Sequence, residues 1–574
     1  MVTVARVLPN VTGLDKHFDY VVPDQLAAGA VAGAVVRVEL HGRRVGGWIV
    51  EIDPADAHDD ADLKPIAKIT GRGPDPELID LADWASVRWV GRRRHFLQAA
   101  SPHRAVLALP PTQRTGNVSE PRSPATTELL ARGGGVLRLP PTSDPMPAVL
   151  SAAATGPTLV IVPSVEQAML LGARLRRGGL TVAVVPDDWA AAAGGVDVVI
   201  GSRIAAWAPC PDMAAAVVVD EHDEALQDEA SPTWHARDVV IERCRRAGAP
   251  VVLVSPSPTL VALEWGVLVR PSHERERSGW PIIDVIDRTD EEPWKRSLVT
   301  SELVRHLRDP DRVVVCVSNT TGRARLLACR QCRALTRCRR CDAAVVLDDE
   351  RRLACLRCGT VRPPVCLECG AGRFANLRPG VTRLREELEA AANRPAVLVT
   401  GEGPERPEAA GVYVGTEAAL HRVPGADTVA FLDFDRELLA PRYRAGEQAM
   451  ALLVRAARLV GPRARGGRIL IQTFVPHHDV VQAALLADPG RMVEAERSRR
   501  AMLGLPPFGA YAEIRGAGSD EFVGSVEPSG DVVIAGGDGD YVARADSWTA
   551  LGHTLSTGVR PAGSRLRIAV DPPR

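Results

Sequence analysis

Residues 158–186, TLVIVPSVEQAMLLGARLRRGGLTVAVVP, settle the fold class. TLVIVP (158–163) is apolar on both of its alternating faces, as a strand buried inside a sheet must be. EQAMLLGARLRRGG (166–179) turns to an amphipathic helical pattern and stops at glycine. TVAVVP (181–186) returns to a β-branched run. Strand, helix and strand at this spacing form a βαβ unit, and the pattern continues through VDVVIGS (196–202), AAAVVVDE (214–221) and PVVLVS (250–255). A second, looser series follows in RVVVCVS (312–318), PAVLVTG (395–401), GVYVGT (411–416), TVAFLDFD (428–435) and RILIQTF (468–474). Two α/β lobes are expected, each a parallel sheet covered on both faces.

The whole chain of 574 residues has room for roughly three to five domains at ~100–200 residues each. At 45% hydrophobic and 25% charged it can bury ordinary cores. No run approaches the ~20 apolar residues of a membrane span, and the opening MVTVARVLPN lacks a secretory layout. A cytoplasmic protein with no membrane partner is expected. The net charge of −1 points to no class of partner. Its 70 basic residues include only four lysines, Lys16, Lys64, Lys68 and Lys295, in keeping with an arginine-, alanine- and glycine-rich composition.

Against that background CRQCRALTRCRRC (329–341) stands out. Eight of the eleven cysteines form four C-x-x-C pairs: Cys329/Cys332, Cys338/Cys341, Cys355/Cys358 and Cys366/Cys369. A reducing compartment opposes disulfides, and a redox dithiol stands alone. Each C-x-x-C turn aims two thiolates at one metal, so four pairs make two closed, all-thiolate zinc sites of structural type. Ferredoxin spacing is absent. Spacing alone leaves open which pairs share an ion. Arg330, Arg333, Arg337, Arg339 and Arg340 lie between the ligands and either touch nucleic acid or solvate the module. Cys210, Cys244 and Cys316 sit in apolar or helical settings and are expected to be inert.

VVVDEHDE (217–224) ends an apolar strand in carboxylates. Asp220 and Glu221 could hold magnesium and polarise water in an NTPase, or simply cap the next helix. A motor also needs a glycine-rich loop and a lysine on the β- and γ-phosphates. No lysine occurs between Lys68 and Lys295, and GVLRLPPTSDPMPAVL (135–150) supplies prolines, which have no N–H, where glycines are required. ATP and Mg2+ are left without a cradle.

Two lobes, a degenerate acidic strand end and an inserted four-pair cysteine module together resemble the primosomal protein N′ (PriA) family of replication-restart helicases. VARVLPNVTGLDKHFDYVVP (4–23), DVVIGSRIAAWAP (197–209), VVVDEHDEALQDEASPTWHARD (217–238), VSPSPTL (254–260), GRARLLACRQC (322–332) and RRAMLGLPPF (499–508) are each similar to family segments. The departures are as specific. The nucleotide loop is gone, VGTEAALHRVPGAD (414–427) keeps only the G-T of its motif, and RLVGPRARGGR (458–468) stands where the family has its arginine finger.

The resemblance implies an α/β multidomain chain: two RecA-like helicase lobes, an inserted binuclear zinc-ribbon module, an N-terminal β-rich DNA-binding domain and a small C-terminal α+β domain. Its boundaries fall at 1–103 (3′-end DNA binding), 104–134 (linker or vestigial winged helix), 135–290 (first lobe), 291–325 with 376–500 (second lobe), 326–375 (two-zinc module) and 501–574 (C-terminal domain). It implies nested metal pairing, Cys329, Cys332, Cys366 and Cys369 on one zinc and Cys338, Cys341, Cys355 and Cys358 on the other. It places DNA contacts on Phe18, Asp19, Tyr20, Gly42 and Lys64, leaves Asp220 and Glu221 as a vestigial nucleotide site, and leaves no catalytic residue. The partners implied are forked DNA with a free 3′ end, single-strand DNA-binding protein and helicase-loading primosome proteins, all at the nucleoid. The expected function is fork recognition and primosome assembly without helicase activity. The alternatives are an active 3′–5′ helicase with a rearranged nucleotide site and a zinc-ribbon interaction protein without fork specificity.

Overall fold

A computed structural model describes residues 3–573 apart from 57–62, 117–121, 291–297, 320–326, 333, 349 and 377–380. It bears out the mixed α/β, multidomain class.

The N-terminal domain is a five-stranded antiparallel sheet in the order Phe18–Val21, Val4–Pro9, Arg43–Ile52, Val35–Leu40, Lys68–Gly71. Its two edges meet. The Val21 amide donates to the Lys64 carbonyl at 3.0 Å and the Ile66 amide to that of Val21 at 2.9 Å, which rolls the sheet into a small barrel. Alternation turns Ala5, Val7, Tyr20, Val36, Val38 and Ile49 inward. The opposite face sends Leu8 and Trp48 against the helices Pro76–Arg88 and Arg93–Ala100. A chain of rings, Trp84, Trp89, Phe96, Trp207 and Trp234, each 5.2–6.4 Å from the next, carries the packing into the first lobe.

Residues 104–116 carry no helix or strand and lie along that lobe. The Gln113 amide bonds the Gly195 carbonyl at 2.9 Å, and Thr115 and Gly116 donate to the Asp197 carboxylate. The helix Pro124–Ala131 packs on the lobe itself, so among the described residues no winged helix intervenes.

The first lobe is a seven-stranded, all-parallel sheet in the order Leu268–Val269, Gly134–Arg138, Val251–Ser255, Ala215–Val219, Thr158–Ile161, Val198–Gly201, Val182–Val185. All five strands expected from the sequence are present. Gly134–Arg138 is an addition at the start, disguised by two glycines that the sheet requires. A Cβ on Gly134, at φ +119°, would lie 2.4 Å from the Val251 carbonyl oxygen.

The second lobe orders Ile282–Asp287, Arg468–Thr473, Thr428–Phe431, Val314–Val317, Val412–Gly415, Ala396–Val399, again all parallel. One boundary moves. Ile282–Asp287, placed by the sequence at the end of the first lobe (135–290), pairs with Arg468–Thr473 and opens the second. It is a half-exposed edge strand, and its apolar pattern does not say which sheet it joins. The cysteine module follows the second strand of this lobe, Val314–Val317. The C-terminal domain is a four-stranded antiparallel sheet, Val532–Gly537, Asp540–Ala545, Ala510–Arg515, Arg567–Val570, with helices Ser519–Ser525 and Trp548–Ser556.

Buried polar contacts weld these units together. Near the C-terminus, the Asp571 carboxylate accepts from Arg444 at 2.6 Å and from the Tyr443 hydroxyl, while its carbonyl accepts from Gln227 at 2.6 Å. One residue of the C-terminal domain thus ties both lobes, and the two arginines facing it, Arg444 and Arg88, hold its carboxyl below the usual range despite complete burial.

Candidate metal and nucleic-acid sites

The cysteine module is two knuckle pairs stacked end to end. Leu327–Cys329 pairs with Phe374–Asn376 beneath one set, and the short strands Val346–Leu347, Leu353–Ala354 and Val361–Arg362 support the other. The sulfurs gather as Cys329, Cys332, Cys366, Cys369 and as Cys338, Cys341, Cys355, Cys358, all within 4.8 Å of one another in each set. The closest Sγ–Sγ distances are 3.6 Å for Cys329–Cys369, 3.5 Å for Cys332–Cys366, 3.5 Å for Cys338–Cys358 and 3.4 Å for Cys341–Cys355. A tetrahedral zinc with sulfurs at ~2.3 Å holds them about 3.8 Å apart, so each set is the right size for one ion. The Gln331 and Arg340 amides point at the Cys329 and Cys338 sulfurs at 3.4 Å and would stabilise thiolates there. Two four-cysteine groups are therefore present that can hold metal ions, consistent with zinc, in the nested arrangement.

The two sets differ in setting. Cys332 and Cys369 are exposed, whereas Cys338, Cys341 and Cys355 are buried in a cluster with Leu327, Leu503, Leu505, Tyr443 and Tyr511. The inner set thus doubles as the seat of the module on the second lobe and the C-terminal domain. Arg357 fixes that seat by bonding the Cys341 carbonyl at 3.1 Å and the Ala440 carbonyl at 2.6 Å. Of the interligand arginines, Arg337 pairs with Asp342 at 2.9 Å, Arg330, Arg339 and Arg340 are exposed, and Arg333 lies outside the described residues. Cys210, Cys244 and Cys316 are buried, and burial pushes each thiol up to about 12, which keeps them unreactive.

At the cleft between the lobes, the strand Gly134–Arg138 leads through residues 139–145 into the helix Met146–Ala153, the connection that wraps phosphates in a P-loop protein. Here it carries Pro140, Pro141 and Pro145. A cavity of about 700 Å3 remains, lined by those prolines with Pro256, Pro462 and aliphatic side chains, and by polar side chains that include Asp144, Gln167, Arg174 and Arg465. Asp220 does face it, with φ +55° at the strand tip.

Asp220 is already taken. Arg458 crosses from the second lobe and grips it with both terminal nitrogens, at 2.7 and 2.5 Å, while its Nε donates to the Pro141 carbonyl at 2.9 Å. The cation of this site is a tethered guanidinium spanning strand tip and loop. Glu221 is fully buried and turned away, accepting from the Thr259 amide at 2.7 Å, the Thr259 hydroxyl at 3.0 Å and Arg237 at 3.3 Å. Arg455 pairs with Asp223 at 2.9 Å, and Glu447 caps the first-lobe helix Leu260–Trp265 through the Leu260 amide at 2.7 Å. Arg458 opens RLVGPRARGGR (458–468), the segment in the place of the family's arginine finger, and its pairing with Asp220 depends on how the lobes meet. In the basic stretch GRRRHF (91–96), Arg93 reaches Asp15 at 3.3 Å and Arg94 reaches Asn10 at 3.3 Å, pinning helix to barrel.

On the barrel, Phe18, Asp19 and Tyr20 share one strand but not one face. Tyr20 is 3% exposed, packs in the core, and its hydroxyl donates to the Glu39 carbonyl at 3.1 Å. Phe18 is half-buried on the same side. Asp19 faces the other way and is held by Arg6 at 2.9 and 3.2 Å. Gly42, at φ +75° in the hairpin turn, has open space around it. Lys64 bonds the Glu39 carboxylate at 2.8 Å, so Tyr20 and Lys64 converge on Glu39, while Asp19 stands with Arg6 apart from them.

Residues 6–102 match the PriA family described as 3'DNA-binding domain (3'BD). Along most of its length the chain is similar to a probable replication restart protein PriA of Mycobacterium tuberculosis, 27% identical over 571 residues that cover 88% of this chain and 85% of that protein. It is 26% identical over 345 residues to the replication restart protein PriA of Bacillus subtilis, covering 54% of this chain and 42% of that one. Among solved structures, the Escherichia coli DEAH/RHA helicase HrpB aligns with a TM-score of 0.29 and 12% identity over 61% of this chain and 41% of its own, too loosely to carry weight. The resemblance read from the motifs is borne out. No helix among the described residues is long and apolar enough to cross a membrane.

Proposed function

We propose that this chain, a divergent relative of the replication restart proteins PriA, recognises branched DNA bearing a 3′ end and serves as a scaffold for restart rather than as a motor. The observation that carries the second half is the grip of Arg458 on Asp220 and the Pro141 carbonyl. A helicase cycle needs magnesium and phosphates at that strand tip, and lobes that part and close around them. Here a guanidinium neutralises the carboxylate, prolines replace the donors of the phosphate loop, and buried ion pairs fasten lobe to lobe.

The DNA-binding half rests on the match of the barrel to the 3'DNA-binding domain and on chemistry available at its surface. A carboxylate has about four lone-pair sites, so Asp19 would accept a hydrogen bond from a terminal 3′-hydroxyl while held by Arg6, and would repel a phosphate in its place. The half-exposed Phe18 ring would stack the last base, a contact worth ~1–3 kcal/mol. Gly42 would let a backbone approach, and Lys64 would neutralise a phosphate. Tyr20 would act from beneath by holding Glu39. The two zinc-sized sites would stiffen a platform on which single-strand DNA-binding protein and helicase-loading proteins assemble at the nucleoid.

The test is affinity at matched salt for a fork ending in a 3′-hydroxyl, the same fork ending in a 3′-phosphate, and a blunt duplex. A hydrogen bond to a charged group is worth ~1.5–3 kcal/mol, so the hydroxyl end should be preferred about 10- to 100-fold, and Asp19→Asn should erase the preference. Equal affinity for all three would favour a zinc-ribbon interaction protein without fork specificity.

A further inference from the structure

The outer face of the barrel hairpin carries a charge arrangement that does nothing for folding. Arg37 on the strand Val35–Leu40 and Lys68 on Lys68–Gly71 are direct cross-strand partners. Both are exposed, and neither charged group has an ion pair or hydrogen bond among the described residues. Like charges placed opposite one another on a sheet are destabilising. On the other flank Arg37 faces Gly46, and the Arg37 guanidinium lies 3.8 Å from where a Gly46 Cβ would be, over bare backbone. Two residues further along, the next outward row pairs Glu39 with Arg44, whereas Arg43 pairs with Leu40 and has the opposite parity. Glu39 is the one acid on this stretch and is already matched to Lys64. Arg37, Arg44, Lys64 and Lys68 against Glu39 leave a surplus of three positive charges among the described residues of this face, on a chain whose net charge is −1.

We propose that Arg37, Lys68 and Arg44 form a track for the DNA sugar–phosphate backbone, leading away from the end-recognition site proposed at Gly42 and Lys64. This rests on the end-recognition reading above and extends it from the terminal nucleotide to the strand behind it. Successive outward rows of an antiparallel strand lie ~6.8 Å apart, so the cations are spaced along a line rather than gathered on one point, which suits a polyanion better than a single anion. Gly46 removes the side chain that would hold a backbone off. Contacts of this kind position DNA without reading its sequence.

The experiment measures how the affinity of the full chain, zinc-loaded, falls with salt, on the 3′-hydroxyl fork and on a blunt duplex of equal length. Arg37→Ala with Lys68→Ala and Arg44→Ala should flatten the slope of log affinity against log salt by about 0.9 for each phosphate no longer neutralised, two to three units in all. It should leave the ratio between 3′-hydroxyl and 3′-phosphate forks unchanged and the thermal midpoint equal or higher, because a repulsive pair is removed. An unchanged salt slope with the end preference intact overturns the track alone. Wild-type protein without an end preference removes the reading on which it rests, and a flattened slope on both DNAs then leaves a general phosphate surface in place of a track from that site.

Discussion

Serine in place of both Cys329 and Cys341 is expected to leave the protein with essentially no zinc. Those two cysteines belong to neighbouring C-x-x-C pairs in the sequence but to different metal sets in the structure. Sequential pairing would put them on one ion and spare the other, so metal content by mass spectrometry reads zero for the nested arrangement and one for the sequential one. The single variants should differ in a second respect. Structural zinc contributes ~10–16 kcal/mol of binding free energy that is also folding free energy. Cys341 is 1% exposed and packs among Leu503, Leu505 and Tyr511, so losing its ion should unseat the module from the second lobe and the C-terminal domain. Cys369 is exposed at the far end. Cys369→Ser should also halve the zinc content but leave the thermal midpoint of the remainder nearly unchanged. Equal destabilisation by the two variants would contradict the inner set's part in the seat.

Arg444→Met is expected to cost about 3–5 kcal/mol, because it leaves the buried Asp571 carboxylate without the cation that bonds it, with only Arg88 facing it. Asp571 is 2% exposed, and Arg444 donates to it at 2.6 Å and to the Gln227 side chain at 2.7 Å. Asp571→Leu combined with Arg444→Met should recover most of the loss, since an apolar pair of similar volume removes both stranded charges. Urea unfolding of the single and double variants measures this. A loss below about 1 kcal/mol in the single variant would mean that water reaches the junction and that the three units are not welded there.

How much of this was legible in the sequence depended on the range of the interaction. The β-branched runs of the first lobe and the C-x-x-C pairs carry their meaning within a few residues, and they appear where the pattern placed them. Gly134–Arg138 escaped because glycines that read as a loop are there to let neighbouring carbonyls approach. Ile282–Asp287 was not read as a strand, because Asp284 and Asp287 interrupt its apolar run, and the sheet a strand joins is decided by the path of the whole chain. Arg458 is one arginine in an arginine-rich chain, and Asp220 lies 238 residues before it. The prolines between the strand Gly134–Arg138 and the helix Met146–Ala153 could be read directly. The bond of Arg458 to Asp220 could not. Asp571, just ahead of a Pro-Pro pair, gives no local hint of the junction it closes. On the barrel, strand alternation divides Asp19 from Phe18 and Tyr20, yet the depth at which each sits follows only from the closure of the sheet through Lys64 and Ile66.

The central claim is that a protein built on a helicase frame recognises DNA without consuming ATP. The most direct test is ATP hydrolysis by the zinc-loaded chain at saturating fork DNA with a free 3′ end, with fork affinity measured on the same preparation. Tight binding with turnover at the background of buffer alone is the predicted result. DNA-stimulated turnover would contradict it, and would require Arg458 to leave Asp220 and a phosphate site to form without the lysine and glycines that such sites use.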